Sequence, residues 1–432
     1  MVPDAVRPPR NDAYAVAFTD WLACACAGAD QRAARAVRAS GEDLLTDVAF
    51  AATAGHVLDF DDTFSDGIAH VSAACAPAAL VLAARLELTL EAALDAYAAG
   101  FESMAALAAA SHPALYDAGW HPTAVCGPVG AAVAAARLLG LPDAQRSNAI
   151  AVALLRAGGT RGAFGSDGKA IQVGLAAAAG VQGALLAREG ASVDPRAIHG
   201  PLGFEQVLGA AWPPTGVDGA SPQTAYPSER DSREAHEAAI ERNWIKLYPS
   251  CLGTHSPIEA AALLPSDARR LDGDRLDVAV HPVARQAAHL DLVDDGLSGK
   301  FSIPYCVAYT VEHGIPGVRD FAALDHRARE RSEHVNVIVD PTLPEWGTVL
   351  ARGGVELARL PGPRGTPERP VGQAELSVKV RDLAGERLDG LLDDLGAPAA
   401  RALEAAGLRS GLLTSSDATI PLRNAQGAMS DT

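Results

Sequence analysis

The run His56-Val57-Leu58-Asp59-Phe60-Asp61-Asp62-Thr63, with His70 seven residues further on, concentrates reactive groups in a short space. Residues 56–70 hold four carboxylates, two hydroxyls and two imidazoles, set between Ala-rich apolar segments. Charges placed beside a core require partners, so the stretch is either a solvated acidic turn or one wall of a reaction site. Taken alone, Asp59, Asp61, Asp62 and the two histidines would also suit a metal cation. Four further polar islands interrupt apolar sequence in the same manner. They are Gly119-Trp120-His121-Pro122-Thr123, Gly168-Lys169, Tyr248-Pro249-Ser250-Cys251-Leu252-Gly253-Thr254-His255 and Gly299-Lys300-Phe301-Ser302-Ile303-Pro304-Tyr305. Each lies at the amino terminus of a predicted helix, where free backbone N–H groups and the dipole favour an anion. A lone His or Lys there is more often a surface or capping residue. Four islands with the same placement point instead to a cleft for anions, and a lysine such as Lys169 is disfavoured at a helix start unless an anion sits there too.

The elements that position these islands are mostly helical. Apolar runs predict helices over 15–27, 42–58, 77–87, 90–110, 129–139, 144–155 and 170–188, with Gly28 as a stop and Pro77 as a first helical position. Their Ala and Gly content lets helix axes approach closely. After about residue 261 the texture changes. Strands are predicted over 276–281, 334–340 and 349–357, and helices over 303–313, 374–383 and 388–395, which makes a smaller α+β unit. From about Gly385 the chain returns to helix, with a polar tail near Met429 to Thr432.

Composition narrows the function classes. A chain of 432 residues exceeds one typical core and predicts two domains, or one large domain with an insertion. A net charge of −17 argues against non-specific nucleic-acid binding, yet a local cluster of Lys and His can still be positive inside a cleft. No run of about 18 residues reads as an uninterrupted lipid-facing span, and residues 1–7 lack the order of a signal peptide. A cytoplasmic protein without membrane partners is expected. The six cysteines read as buried free thiols rather than paired metal ligands. Gly158-Gly159-Thr160-Arg161-Gly162 lacks the Gly-Lys-Ser/Thr ending of a phosphate loop.

The blocks HVLDFDDT at 56–63, GWHPTA at 119–124, GKAIQVGLAAAAG at 168–180, YPSCLGTH at 248–255 and GKFSIPYCVAY at 299–309 together resemble the MmgE/PrpD family, in that family's order. The family includes 2-methylcitrate dehydratases, cis-aconitate decarboxylases and iminodisuccinate epimerases. The resemblance implies a mainly α fold: a large all-helical domain, from 1–260 and 386–432, with an inserted smaller α+β lid domain over 261–385. It also implies a homodimer and chemistry on small carboxylates with no metal or organic cofactor. Carried over residue by residue, it places Asp59, His70, His121, Lys169 and Tyr305 as catalytic groups, with Thr63, Lys169 and His255 binding substrate. Two departures are visible. Gln172 stands where many relatives have His, and the loop between Thr63 and His70 lacks a His-Pro pair.

The resemblance implies a dehydratase acting on a β-hydroxy polycarboxylate related to 2-methylcitrate, and the residue types fit proton abstraction beside a carboxylate. Removing a proton beside a carboxylate builds negative charge on its oxygens, which Lys169 and His255 could meet. His121 and His70 have the side chain whose ordinary pKa lies nearest neutrality, one as base and one as acid, in an order the sequence leaves open. Asp59 would orient an imidazole, Thr63 would hydrogen-bond substrate, and Tyr305 could supply a weak acid. Asp61 and Asp62 are expected to serve the backbone. Decarboxylation or epimerisation through the same carbanion-like intermediate is the nearest alternative, and a binding or scaffold protein that has lost the chemistry is the other.

Overall fold

The computed structural model describes residues 12–213, 238–266, 268–269 and 275–408. The expected polar tail at 429–432 and the amino-terminal stretch 1–7 lie outside them. The fold is mainly helical. In order come α1 (Asp12–Gly28), α2 (Arg32–Arg38), α3 (Leu44–His56), α4 (Val71–Arg85), α5 (Leu90–Ser111), α6 (Ala114–Asp117), α7 (Pro122–Leu138), α8 (Asp143–Leu154) and α9 (Gly168–Arg188). The N-terminal ends follow local chemistry. The Asp43 carboxylate caps α3 by accepting from Thr46 N–H, and Pro122, which has no N–H to leave unpaired, opens α7.

Close helix packing accounts for the alanine and glycine content. A Cβ on Gly130 of α7 would meet Cys75 Sγ and the Gly100 carbonyl, and one on Gly174 of α9 would press into Thr53 Oγ1 and the Ala49 carbonyl of α3. Any larger residue at either site would force the helices apart. Helix α9 is long and apolar enough to span a membrane by composition alone, but two thirds of its apolar window is buried inside the fold. It packs against α3, α7 and α8.

Two short strands, β1 (Thr63–Phe64) and β2 (Asn243–Trp244), pair antiparallel beside the acidic stretch. The later part of the chain forms a four-stranded sheet of β3 (Leu276–Val280), β4 (Val335–Val339), β5 (Thr348–Arg352) and β6 (Val355–Leu360), in the order β4-β3-β5-β6. Strand β4 runs parallel to β3, and the other two pairings are antiparallel. The hydrophobic residues of this sheet share a second core with residues of α12 (His255–Ala262) and α15 (Ile303–His313), separate from the core of the first nine helices. Leu383, Leu388, Leu403 and Leu408 rejoin the first core. They follow from α17 (Gln373–Ala384), which packs on α1, and from α18 (Ala400–Ala405), which packs on α4.

Three expectations need correction. Helix α4 starts at Val71 and carries Pro77 in its interior, because the apolar run Val71–Ala76 is buried along its whole length and draws the helix upstream. Proline there forfeits one backbone bond, which burial outweighs. The single strand over 349–357 is a hairpin, turned at Gly353 and Gly354, both with positive φ. Residues 388–395 form turns rather than a helix, since Gly385 and Gly390 both take the left-handed φ that interrupts helical bonding.

Candidate active site

Helix α3 ends at His56, and the chain then turns so tightly that Asp59 takes φ 52°, a left-handed conformation costly for a residue with a Cβ. Three lysines from distant parts of the sequence fix this turn. Lys300 Nζ donates to the Leu58 carbonyl at 2.5 Å, Lys246 Nζ to Asp59 Oδ1 at 2.5 Å, and Lys379 Nζ to the Phe60 carbonyl at 2.7 Å. Lys379 also donates to the Lys246 carbonyl and pairs with Asp20. Residues 58, 59 and 60 are thus each met by one of these three buried ammonium groups. The strain at Asp59 is over-determined by its surroundings, as strained functional residues must be.

Around this turn the predicted residues gather. Lys169 Nζ lies 2.9 Å from Asp59 Oδ2, so Asp59 is bracketed by two lysines. His70 approaches Asp59 Oδ1 with Nε2 at 3.7 Å, and its Nδ1 lies 3.2 Å from Asp61 Oδ2 and 3.3 Å from Thr63 Oγ1. His56 Nδ1 lies 2.9 Å from the same Asp61 oxygen. His121 packs on His56 with ring centroids 6.0 Å apart, and the His56 and His70 rings meet edge to face at 4.6 Å. A small cavity is lined by Asp59, Thr63, His70, His121 and Lys169 from the helical side and by Cys251, Phe301 and Trp346 from the other.

The electrostatics are those of an anion site. Burial alone would raise the Asp59 carboxyl, but Lys169, Lys246 and His70 outweigh it and hold the group well below the usual range. Asp61, also buried, is held low by His56 and His70. Asp62 goes the other way. Burial with Asp20 and Asp61 nearby raises it well above 3.8, and it accepts from Ser72 and Asn243. Asp61 and Asp62 therefore bind side chains, where the sequence suggested a backbone role. Burial lowers Lys300 to about 8 and raises the Cys251 thiol to about 11, so that thiol is neutral. Lys169 is also flanked by the faces of Phe164 and Phe301, 5.3 and 5.2 Å from its Nζ, which favour a cation. Two lysine charges on one ionised aspartate leave positive charge available for a bound anion.

Not every predicted residue reaches the cavity. His255 is buried beneath Tyr248, with Nε2 3.1 Å from the Ser250 carbonyl, and it does not line the cavity wall. Tyr305 turns its hydroxyl to the Asp325 N–H at 3.0 Å and stacks its ring near Tyr309 and Phe321, also away from the cavity. His56, Asp61 and His70 bring three ligand-type atoms within 4.8 Å of one another. In this arrangement the Nδ1 atoms of His56 and His70 both face Asp61 Oδ2, and the neighbouring lysines make a further dication electrostatically costly.

The buried imidazoles make stability pH-dependent. Burial lowers His70 to about 4 and His255 to about 3, against about 6.5 in the unfolded chain. As pH falls below about 6.5 the unfolded state takes up protons that the folded state refuses, so stability falls with pH. Asp59 and Asp61, whose folded pKa values are depressed, contribute stability that persists above the ordinary carboxylate range, so they do not titrate in this window. Urea unfolding should show a loss of about 2 kcal/mol for each of the two histidines between pH 7 and pH 5. Asp62, whose folded pKa is raised, takes up its proton in the folded state and works against this loss, so the measurement is made in Asp62→Asn, where a flat profile would contradict the neutral burial of the two histidines.

Models of the MmgE/PrpD N-terminal domain and of the MmgE/PrpD C-terminal domain match residues 41–215 and 248–393 respectively. The chain belongs to the MmgE/PrpD family. Human cis-aconitate decarboxylase is 27% identical over 217 residues, 49% of this chain and 45% of that protein. A cis-aconitate decarboxylase-like protein of Aspergillus oryzae is 31% identical over 174 residues, 39% of this chain and 34% of the relative. Each match thus spans less than half of the curated relative.

Within this MmgE/PrpD site, sequence reasoning missed Lys246, His56, Cys251 and the anchoring lysines Lys300 and Lys379. Lys246 carried a readable signal, a charge alone among Trp244, Ile245, Leu247 and Tyr248 just before the fourth block. Cys251 and Lys300 sat inside blocks already recognised. Lys379 lies on an ordinary-looking amphipathic helix and had no local signal.

Proposed function

We propose that this chain is a lyase acting on a small polycarboxylate, by proton abstraction beside a carboxylate group. The observation that carries the reading is Asp59 bracketed by Lys169 and Lys246 at the wall of a cavity that His70, His121 and Thr63 also line. The lysines meet the substrate carboxylates and the charge that grows on them as the C–H bond breaks. The imidazoles handle protons, and Thr63 hydrogen-bonds the substrate. The specific reaction is a cofactor-independent dehydration of a β-hydroxy polycarboxylate related to 2-methylcitrate. Decarboxylation is the second reading, favoured by the cis-aconitate decarboxylase names of the two relatives.

The reading extends to architecture. The sheet unit of β3 to β6, with its own core and with Phe301 and Trp346 at the cavity, acts as a lid over the helical domain. Family resemblance supports a homodimer. Titration calorimetry with citrate and cis-aconitate should show saturable binding to the native chain that weakens as salt rises, because the contacts are ionic. Absence of binding to any di- or tricarboxylate would overturn the reading.

A further inference from the structure

The two imidazoles at the cavity differ in what holds their Nδ1 atoms. His121, the N-cap residue of α7, has Nδ1 at 2.6 Å from Gln172 Nε2. The orientation of the Gln172 amide is set independently by the backbone of Thr160. The Thr160 N–H donates to Gln172 Oε1 at 3.0 Å, and Gln172 Nε2 faces the Thr160 carbonyl at 3.3 Å. The end of the amide that meets His121 is therefore a donor. A ring nitrogen facing a donor must carry its lone pair, so in neutral imidazole the proton resides on Nε2. His70 lies between two carboxylates. Its Nδ1 is 3.2 Å from Asp61 Oδ2, with the Thr63 hydroxyl at 3.3 Å, and its Nε2 is 3.7 Å from Asp59 Oδ1. The nearer carboxylate favours the proton on Nδ1 and the lone pair on Nε2. Both rings are buried, and burial lowers both: at His121 the Lys169 charge adds to it, and at His70 burial outweighs the opposing pull of Asp61.

We propose that Gln172 is a positioning residue that holds His121 as the Nε2–H tautomer, making His121 the hydrogen-bond donor and His70 the proton acceptor of the cavity. The assignment of chemical roles rests on the proposed function; the tautomers do not. In the proton-abstraction step, the C–H bond beside the carboxylate breaks and its proton passes to His70 Nε2. The electron pair moves onto the carboxylate as an enediolate, whose oxygen accepts a hydrogen bond from His121 Nε2–H without proton transfer. A neutral imidazole donor is well suited to this task, since it meets developing charge without quenching it. Gln172 thus holds His121 with a side chain that cannot change its protonation state.

The test reads tautomers directly and needs no substrate. Long-range ¹H–¹⁵N correlation on the full chain with labelled histidine, assigned with His121→Ala and His70→Ala, should show Nε2–H at His121 and Nδ1–H at His70 near pH 7. Gln172→Glu replaces the donor with an acceptor. It should move the His121 proton to Nδ1, or add a second one, and lower kcat on the order of 10²-fold with little change in KM. Gln172→Met, which removes the donor and keeps the bulk, should leave a mixture of tautomers and a smaller loss. In reading any pH profile, the groups facing His121 are His56 from α3, Lys169 from α9, and Asp59 and His70 from the intervening turn. An Nδ1–H signal at His121 in the native protein overturns the proposal. So does a Gln172→Glu protein with unchanged tautomer and kcat. The expected tautomers in a protein that turns over no carboxylate would instead overturn the proposed function.

Discussion

Replacing Lys169 with methionine lowers kcat/KM on a small polycarboxylate by roughly 10²–10⁴-fold, through loss of charge stabilisation in the transition state. Methionine retains the volume between Phe164 and Phe301 and removes the ammonium, so packing at the cavity wall is preserved. Asp59 keeps Lys246 as a partner at 2.5 Å, which limits the structural damage. Circular dichroism should therefore match the native chain while steady-state kinetics collapse. Lys169→Arg retains charge but not the compact ammonium, and is expected to recover only part of the rate. Full activity in Lys169→Met would remove this lysine from the mechanism.

The second large effect is expected at Asp59. Asparagine tolerates the left-handed backbone better than most residues, so Asp59→Asn alters charge while sparing φ. It leaves Lys169 and Lys246 facing one another in a buried site without the anion between them. Removing one side of a buried ionic cluster costs about 3–5 kcal/mol, and the variant should unfold at correspondingly lower urea. Its activity should fall at least as far as that of Lys169→Met, because both lysines then lose their orientation. Asp59→Ala should be less stable than Asp59→Asn by a further ~1 kcal/mol of left-handed strain. Equal stability of the two would show that the turn is not strained.

The division between what was legible in the sequence and what was not follows from locality. The helical part was readable because its apolar runs are long, and the change of texture near residue 261 was readable because β-branched runs replace them. Asp59, Thr63, His70, His121 and Lys169 were readable because each sits in a polar island beside an apolar helix, and the fold brings those islands to one cavity. Tyr305 and His255 sat in equally marked islands, yet rotamer and neighbours turn them toward Asp325 and Ser250. Side-chain direction at a helix start is decided by what packs against it, and sequence spacing does not encode that. The lysine clamp on residues 58–60 was hidden for the same reason, since its three members come from positions 246, 300 and 379. Lys379 is buried against the Phe60 ring, with Nζ 4.0 Å from its centroid. The order of acid and base, open in the sequence, depends on a side-chain amide orientation that only the backbone of Thr160 specifies.

The central claim is that the Asp59, Lys169 and His70 cavity performs carbanion chemistry on a carboxylate without an added cofactor. It is tested most directly by incubating the purified native chain in D₂O, in chelator-treated buffer, with citrate-like, aconitate-like and iminodiacid substrates. Alkene absorbance, CO₂ release and deuterium at the carbon beside the carboxylate are followed together. Turnover or deuterium incorporation is expected with at least one member of the panel, abolished by Lys169→Met. Inert behaviour toward every carboxylate, or activity that appears only when a metal is restored, would contradict it.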